Sequence, residues 1–258
     1  MPALKNPLKA ALARGEMQLG LWLNSGDAVA AEIAAATGFD WCLIDGEHGP
    51  YDPAAMLGQM RAIAPSHTPV VVRVPVGEDW VIKQVMDMGA NSLLIPMIDS
   101  GEQAVRMVRA TRYAPMGVRG LGASVARVSG FGKNGDYPQT ANEEVCLILQ
   151  AETRQALENI EDIANTDGVD CVFIGPADLS ADMGYPGNPA HPDVKAAIEK
   201  GIAKIRAAGK AAGIIHYDAS NFGYYRDLGV TFLGIGADVT LMRTAFAHVL
   251  DTARKAVD

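Results

Sequence analysis

Two acidic side chains follow two consecutive apolar runs of the sequence. Glu152 comes directly after the run that ends at Ala151, and Asp178 comes shortly after the run Cys171–Ile174. Neighbouring strands of a sheet lie about 4.8 Å apart, so both carboxylates can face one point. Converging carboxylates repel each other unless a cation lies between them, and such oxygen ligands favour Mg²⁺ or Mn²⁺. Alternatively, each carboxylate only stabilises the first turn of a following helix.

A histidine and an arginine are the other candidates for chemistry. His48 lies in DGEHGP, three residues after Asp45, which is close enough to orient an imidazole for proton transfer. A lone histidine in a loop is more often only a surface residue. Arg73 lies inside VVVRVP, and a buried guanidinium needs an anionic partner, either an internal carboxylate or a substrate carboxylate. Asp87 could be that partner or could help to hold His48, and it could equally lie on a solvated helix face.

The elements that position these residues alternate between strand and helix. Eight runs have the composition of strands: Gln18–Leu23, Phe39–Asp45, Thr68–Pro75, Ser92–Ile98, Val145–Ala151, Cys171–Ile174, Ala212–Tyr217 and Thr231–Ile235. Seven stretches between them are amphipathic: Asp27–Thr37, Pro53–Ala64, Trp80–Met88, Gly101–Thr111, Thr153–Ala164, Pro192–Ala208 and Ala219–Leu228. This order predicts one (β/α)8 barrel over residues 1–258, with an open doubly wound sheet as the alternative. In such barrels the catalytic groups follow the carboxyl ends of the strands.

Three further segments carry predictions. The connection 99–144 is much longer than a bare crossover and rich in glycine in its second half, which predicts a functional loop or a lid. The glycines of GIGAD, at 234–238, could cradle a phosphate group. The stretch Val239–Val257 has apolar residues at helical spacing, so we expect a helix that closes the barrel or packs on a neighbouring subunit.

Composition excludes several classes of protein. The chain has 258 residues, of which 49% are hydrophobic, with 22 Lys and Arg against 30 Asp and Glu, a net charge of −8. The acidic balance disfavours a nucleic-acid partner. No apolar stretch reaches the roughly 20 residues of a membrane span, and residues 1–19 lack the apolar core of a signal peptide. Three cysteines far apart in apolar runs predict reduced thiols and a cytoplasmic location.

Six segments resemble the HpcH/HpaI family of class II pyruvate-dependent aldolases. They are LIDGEHGP, VVVRVP, VMDMGANSLLIPM, GVRGLGASVAR, ANEEVCLILQAET and VFIGPADLS. The resemblance runs in order from about Gly20 to Asp238. It is strongest to the branch of 4-hydroxy-2-oxoheptanedioate and 2-keto-3-deoxy sugar-acid aldolases. The reaction that it implies is the reversible retro-aldol cleavage of a 4-hydroxy-2-oxo acid to pyruvate and an aldehyde.

The resemblance also implies a divalent metal and its ligands. Glu152 and Asp178 match the residues that bind Mg²⁺, Mn²⁺ or Co²⁺, and pyruvate chelates that ion in the family. Gln150 matches a residue that supports the metal shell, and Arg73 matches the arginine that neutralises the developing enolate. The backbone of the segment Gly175, Pro176 and Ala177 matches the part that receives the pyruvate carboxylate.

Further roles follow from the same resemblance. His48 matches the acid/base histidine, with Asp45 and Asp87 as candidate orienting partners, and Trp22 matches an aromatic residue in the wall of the site. Family members are commonly homo-hexamers, trimers of dimers that exchange the C-terminal helix. The segment Ile215–Asp218 is more polar than the family pattern, which leaves the acceptor aldehyde open.

One other aldolase mechanism and two other functions compete with the metal-dependent aldolase. A Schiff-base aldolase would need a lysine in a strand, and none of the eight runs contains one, which favours the metal route. A citrate-lyase-like acyl-CoA lyase would need a basic patch for the phosphates of CoA, and none is visible in the sequence. A catalytically silent binding barrel would be favoured by the loss of a site residue, but His48, Arg73, Glu152 and Asp178 are all present.

Overall fold

The computed structural model describes residues 2–257, and its centre is a closed barrel of eight parallel strands. The strands are β1 (Gln18–Leu23), β2 (Trp41–Asp45), β3 (Val70–Arg73), β4 (Ser92–Ile95), β5 (Cys146–Ala151), β6 (Cys171–Ile174), β7 (Ala211–Ile215) and β8 (Val230–Ala237). They pair in chain order, and β8 pairs with β1. The predicted barrel is therefore confirmed, and the open sheet is excluded.

Twelve α-helices surround or close the barrel within residues 2–257. They are α1 (Pro7–Ala13), α2 (Ala28–Thr37), α3 (Pro53–Ile63), α4 (Asp79–Met88), α5 (Gly101–Thr111), α6 (Tyr137–Thr140), α7 (Arg154–Glu158), α8 (Ile160–Asn165), α9 (Pro176–Asp182), α10 (Pro192–Ala207), α11 (Phe222–Asp227) and α12 (Asp238–Val257). The predicted helix Thr153–Ala164 is divided at Asn159, which leaves helical geometry while its side-chain amide donates to the Asp99 carbonyl at 2.7 Å.

Aromatic side chains fill the inside of the barrel. Trp41 stacks on Phe232 with ring centroids 4.0 Å apart, and Trp22 meets Trp41 edge-on at 5.3 Å and Phe173 at 5.6 Å. The outer faces of the strands pack on the helices in a separate, larger apolar layer. Because both faces are buried, the strands are nearly continuous apolar runs, and this is why the sequence reveals them.

The amino end of the barrel is closed by α1, which the sequence analysis did not predict. Leu8 and Leu12 of this helix belong to the interior cluster and are buried. The Asn6 amide donates to the Asn91 carbonyl at 3.2 Å, and Lys9 Nζ lies 2.8 Å from Asp170 Oδ1. Access to the interior from this end is thereby blocked.

The long connection between β4 and β5 packs on the outside of the barrel. The Arg119 guanidinium donates to Asp87 Oδ1 at 2.8 Å and lies 4.4 Å from the centroid of the Tyr113 ring, and Arg127 donates to the Met88 carbonyl at 2.7 Å. None of the described residues 117–144 lines the cavity at the carboxyl ends of the strands. The prediction that this segment supplies a lid over its own site is therefore not supported by its placement.

Helix α12 is the least covered of the twelve α-helices described above. Only Asp238, at its first position, is buried, while Phe246, Val249 and Leu250 are exposed. The predicted C-terminal helix is thus confirmed as a helix, and its apolar face has no partner within residues 2–257. None of the helices in this range has the length and hydropathy that crossing a bilayer requires.

The three cysteines, Cys42, Cys146 and Cys171, are free and buried in the strands, as predicted. Burial raises the pKa of the Cys42 thiol to about 12 and raises those of Cys146 and Cys171 well above the usual range. Because the thiolate is the reactive form of cysteine, these thiols are inert in the folded protein.

Candidate active site

An arginine and two carboxylates form the charged centre of the site. Arg73 and Asp45 lie opposite each other in the register of β3 and β2. Arg73 Nε donates to Asp45 Oδ1 at 2.8 Å and Nη2 donates to Oδ2 at 2.6 Å, while Nη1 lies 2.8 Å from Glu47 Oε2. Burial alone would raise the pKa of Asp45, but the hydrogen bonds and charge of Arg73 outweigh it and lower that pKa. The buried arginine predicted from the sequence thus has internal carboxylate partners.

His48 is placed differently from its predicted arrangement. The Asp45 carboxylate accepts hydrogen bonds from the backbone amides of Glu47, at 3.0 Å, and His48, at 3.3 Å, and from the side chain of Asn24. Its oxygens are therefore occupied by Arg73, Asn24 and the two amides rather than by the imidazole. The carboxylate nearest to His48 Nε2 is that of Glu47, at 3.9 Å, and the imidazole is largely exposed to solvent.

Glu152 is a buried carboxylate at the end of β5. Its side chain accepts from the Met97 amide at 3.0 Å and from the side-chain amide of Gln150. Burial is the main cause that raises its pKa to about 7; the Gln150 and Met97 hydrogen bonds oppose that shift, and the charges of Glu47 and Asp178 add to it. The charges of Glu47 and Asp178 therefore act on Glu152, and the charge of Asp178 also acts on Glu47.

Backbone geometry brings other groups close to Glu152. Met97 has a φ of 58°, in the left-handed region, and this conformation directs its amide at the Glu152 carboxylate. Gly175 follows β6, and a Cβ at this position would lie only 2.9 Å from Glu152 Cβ. Only glycine allows this approach of the two strand ends.

A cavity of about 350 Å³ at the carboxyl ends of the strands brings most of the predicted site residues together. Its walls include His48, Arg73, Gln150, Asp178 and Trp22, and also the predicted carboxylate-binding segment Gly175, Pro176 and Ala177. Asp178 lies in the first turn of α9 and is exposed toward solvent. The inner end of the cavity is apolar, where Trp22 and Phe173 are buried.

The donor set at this cavity fits a hard divalent cation. The described residues contain no cluster of three or more His, Cys, Asp or Glu side chains that could hold a metal ion. Glu152 and Asp178 are two carboxylates, one fewer than such a cluster needs. The buried Gln150 Oε1 has no hydrogen-bond partner. The negative charges of these two carboxylates repel each other, and the amide oxygen of Gln150 is unpaired. Carboxylate and amide oxygens are ligands of the kind that Mg²⁺ and Mn²⁺ bind.

Asp87 does not belong to this group of residues. Its carboxylate is paired with Arg119 on the outer side of α4, and it lines a different depression together with Trp80 and Lys83. Within residues 2–257 it has no contact with His48. The sequence prediction of Asp87 as a partner of His48 or Arg73 is therefore not met inside one chain, because α4 directs this side chain away from the cavity.

The corner of the barrel after β8 is occupied by a carboxylate. Asp238 accepts from the Asn24 amide at 2.8 Å, from the Ser25 amide at 3.2 Å and from the Ser25 hydroxyl at 2.5 Å. A buried anion that already uses these donors disfavours the phosphate site that the glycines of GIGAD suggested.

Glu47 is the functional candidate that sequence reasoning missed. The sequence places it between two residues that received roles, Asp45 and His48, but assigns it none. In the structure it contacts both Arg73 and His48, and burial raises its pKa although Arg73 opposes that shift. The available signal was its position two residues after the end of β2.

Comparison with known proteins agrees with this fold. The pattern of the family described as HpcH/HpaI aldolase/citrate lyase matches residues 18–245. The hydroxypyruvate/pyruvate aldolase of Agrobacterium fabrum is 53% identical over 93% of this chain and 90% of its own length. The 2-keto-3-deoxy-L-rhamnonate aldolase of Klebsiella pneumoniae is 50% identical over 94% and 91%. A crystal structure of an HpcH/HpaI aldolase/citrate lyase family protein from Burkholderia cenocepacia superposes with a TM-score of 0.93, at 40% identity and covering 97% of this chain and 100% of that one.

The closed parallel barrel carries carboxylates, an arginine and a histidine at its carboxyl end, which is where enzymes of this fold carry their catalytic groups. The chain belongs to the HpcH/HpaI aldolase/citrate lyase family. It is a class II aldolase, an enzyme that makes and breaks carbon–carbon bonds.

Proposed function

We propose that the enzyme uses a divalent metal to cleave 4-hydroxy-2-oxo acids reversibly to pyruvate and an aldehyde. The observation that carries this proposal is that Asp178, Gln150, Arg73 and His48 line one cavity, while the buried Glu152 carboxylate accepts a hydrogen bond from the Gln150 side chain in its wall. Relatives 48% to 53% identical to this chain are named as aldolases of pyruvate, of 4-hydroxy-2-oxo-heptane-1,7-dioate and of 2-keto-3-deoxy-L-rhamnonate.

Glu152 and Asp178 would hold the metal, and Gln150 would support its shell. When bound, a Mg²⁺, Mn²⁺ or Co²⁺ ion supplies Lewis acidity that polarises the keto oxygen of the substrate. Glu152 is fixed for this role by the Met97 amide and by the Gln150 side chain, so little reorganisation is needed. The backbone at the start of α9, from Gly175 to Ala177, would receive the substrate carboxylate.

Arg73 would stabilise negative charge in the transition state. When the C3–C4 bond breaks, its electron pair moves toward the former keto oxygen and forms the enolate of pyruvate. The guanidinium lies at the wall of the cavity and is held by Asp45 on one side and Glu47 on the other. A positioned donor of this kind is typically worth about 10²-fold to 10³-fold in rate.

His48 would transfer the proton of the C4 hydroxyl. Cleavage requires that this hydroxyl lose its proton while the bond to C3 breaks, and the enolate then takes a proton at C3 to give pyruvate. The imidazole is at the mouth of the cavity, where substrate and water reach it, and its Nε2 lies 3.9 Å from Glu47 Oε2.

The acyl-CoA lyase and the silent barrel gain no support from the site. Within residues 2–257, Arg73 is the one lysine or arginine in the wall of the cavity, and it is already paired with two carboxylates. We propose in addition a cytoplasmic homo-hexamer, a trimer of dimers that exchange α12. The uncovered apolar face of that helix supports an intersubunit contact.

Hydrogen–deuterium exchange at the methyl group of pyruvate tests the proposed chemistry without knowledge of the aldehyde. We expect NMR to show exchange with enzyme and Mn²⁺, and loss of exchange with EDTA. The Lys200→Met variant, which changes an exposed residue outside the cavity lining, should show the same exchange as the wild-type enzyme and controls for the preparation of a variant. Absence of exchange under both conditions would reject pyruvate enolisation as the activity.

A further inference from the structure

A second cavity adjoins the site and has no assigned role. Its volume is about 560 Å³, larger than the about 350 Å³ of the site cavity. The two cavities have four lining residues in common: Pro176, Ala177, Ile215 and Tyr217. The two cavities are therefore direct neighbours, and these four residues lie between them.

Tyr217 stands at the boundary between the two cavities. It follows β7, in the polar segment Ile215–Asp218. Tyr217 is 58% exposed, and it lines the site cavity together with Arg73. The phenol thus lies near the charged centre, and its hydroxyl makes no hydrogen bond to another of the described residues.

The walls of the second cavity combine polar and apolar groups. Lys195 of α10 lies 4.6 Å from the centroid of the Tyr224 ring and forms no ion pair within residues 2–257. Asp218, on the other side, accepts from the Ser220 amide at 2.9 Å and from the Ser220 hydroxyl at 2.8 Å. One ammonium and one carboxylate leave little net charge, so the cavity does not select strongly for an ion.

The remaining lining groups suit hydroxyl groups on a carbon chain. His216 and Asn221 contribute ring and amide groups, and Tyr225 contributes an aromatic face. Hydroxyl groups both donate and accept hydrogen bonds, so they can use such a mixed lining, whereas an alkyl chain would leave the polar groups without partners.

We propose that the second cavity is the acceptor subsite of the enzyme, and that it takes the distal part of a hydroxylated aldehyde longer than glycolaldehyde. Tyr217 contacts the chain where it leaves the site cavity, and Lys195 donates to a distal hydroxyl group. This inference rests on the proposed pyruvate aldol reaction, because the aldehyde must meet the pyruvate enolate in the site cavity.

The test is the ratio of kcat/KM for erythrose to kcat/KM for glycolaldehyde, measured in the synthetic direction with pyruvate and Mn²⁺. Lys195→Met keeps most of the side-chain stem and removes the donor, and we expect the ratio to fall about tenfold, the usual loss for a hydrogen bond from a charged group. Tyr217→Phe should lower the same ratio about threefold. Lys200→Met, on the same helix but outside the cavity lining, should leave it unchanged.

Three results would overturn the proposal. The first is a fall of both kcat/KM values by the same factor in Lys195→Met. The second is an unchanged ratio in both Lys195→Met and Tyr217→Phe. The third is a wild-type enzyme that uses butanal as well as erythrose, since the two chains have equal length and differ in their hydroxyl groups. If the wild-type enzyme exchanges the methyl protons of pyruvate, the proposed function holds. Any of the three results then counts against the acceptor subsite alone.

Discussion

Asp45 and Arg73 lie opposite each other on neighbouring strands and are joined by two hydrogen bonds, at 2.8 and 2.6 Å. The same carboxylate accepts from the amides of Glu47 and His48. One side chain therefore fixes both the guanidinium and the loop that carries the proposed base. This makes Asp45 a positioning residue for two different parts of the site.

Asp45→Ala should affect stability and activity together. Removal of one partner from a buried ion pair costs about 3 kcal/mol or more, because it leaves a charge with fewer partners. Glu47 still pairs with Arg73, so we expect the lower end of that range, and a loss of about 100-fold in kcat because the guanidinium is no longer held. Urea denaturation and aldol kinetics measure the two effects. Asp167→Asn, at an exposed position, is the matched control, and equal behaviour of the two variants would contradict the role of Asp45.

Glu152→Gln and Asp178→Asn should each weaken metal binding. The affinity for Mn²⁺, measured by calorimetry or by the electron paramagnetic resonance signal of the free ion, should fall more than about 100-fold, since changes even outside the ligands cost 10-fold to 100-fold. Asp182→Asn is the matched control, because this residue lies on the same helix as Asp178 and pairs with Arg154 at the surface. Retention of wild-type affinity in the Glu152 variant would show that the metal binds elsewhere.

The metal-free enzyme should become less stable as the pH rises. The pKa of Glu152 is about 7 in the folded protein against 4.5 for an ordinary glutamate, mainly because the side chain is buried. The stability that the protonated Glu152 side chain contributes is complete below about pH 4.5. It is lost as the pH rises through about 7, because the folded protein must then bury a charged carboxylate. The change is on the order of 3 kcal/mol.

Glu152→Gln should remove this pH dependence. A glutamine amide stays neutral and can donate to Gln150 Oε1, which is buried without a partner. Thermal unfolding in EDTA at pH 5 and pH 8 should therefore show a larger gain in Tm from the substitution at pH 8. A gain of the same size at both values would mean that Glu152 does not take up a proton on folding.

Gly175→Ala should lower metal affinity without removing a ligand. The new Cβ would lie 2.9 Å from Glu152 Cβ, so the carboxylate or the end of β6 must move. We expect about tenfold weaker Mn²⁺ binding. Gly58→Ala provides the comparison, since a Cβ in this helix meets nothing within 4 Å, and alanine is the better helix former by about 0.5–1 kcal/mol. Unchanged Mn²⁺ affinity in Gly175→Ala would show that this close packing is not required.

Phe246→Asp should disrupt the assembly. Phe246 is 69% exposed on α12 beside Val249, which is 66% exposed, and a buried carboxylate without a partner is strongly unfavourable in an interface. Size-exclusion chromatography with light scattering should show a smaller particle than the wild-type enzyme. Thr252→Asp places the same charge at a polar position of the same helix. An unchanged mass for Phe246→Asp would exclude this face of α12 from the intersubunit contact.

The barrel and most of the cavity residues could be predicted from the sequence, because strands buried on both faces are nearly continuous apolar runs. The polar residues that follow those strands are visible for the same reason. Helix α1 was not predicted, because Leu8 and Leu12 are buried only by the open end of a barrel whose strands lie far away in the sequence.

Side-chain direction was the part that could not be predicted. Asp87 pairs with Arg119, 32 positions further along the chain, in a connection without regular periodicity. The Glu47 side chain contacts Arg73 because of the loop conformation after β2. The spacing of residues in the sequence does not predict that conformation. The three-dimensional path of these two loops decides which carboxylate meets which cation.

The burial of all three thiols has a practical consequence for spectroscopy. Because Cys42, Cys146 and Cys171 are inert inside the barrel strands, a single cysteine introduced at an exposed position would be the preferred target of a maleimide dye or a nitroxide. The wild-type chain is therefore a ready background for fluorescence or spin labels placed on α12 or at the rim of the second cavity.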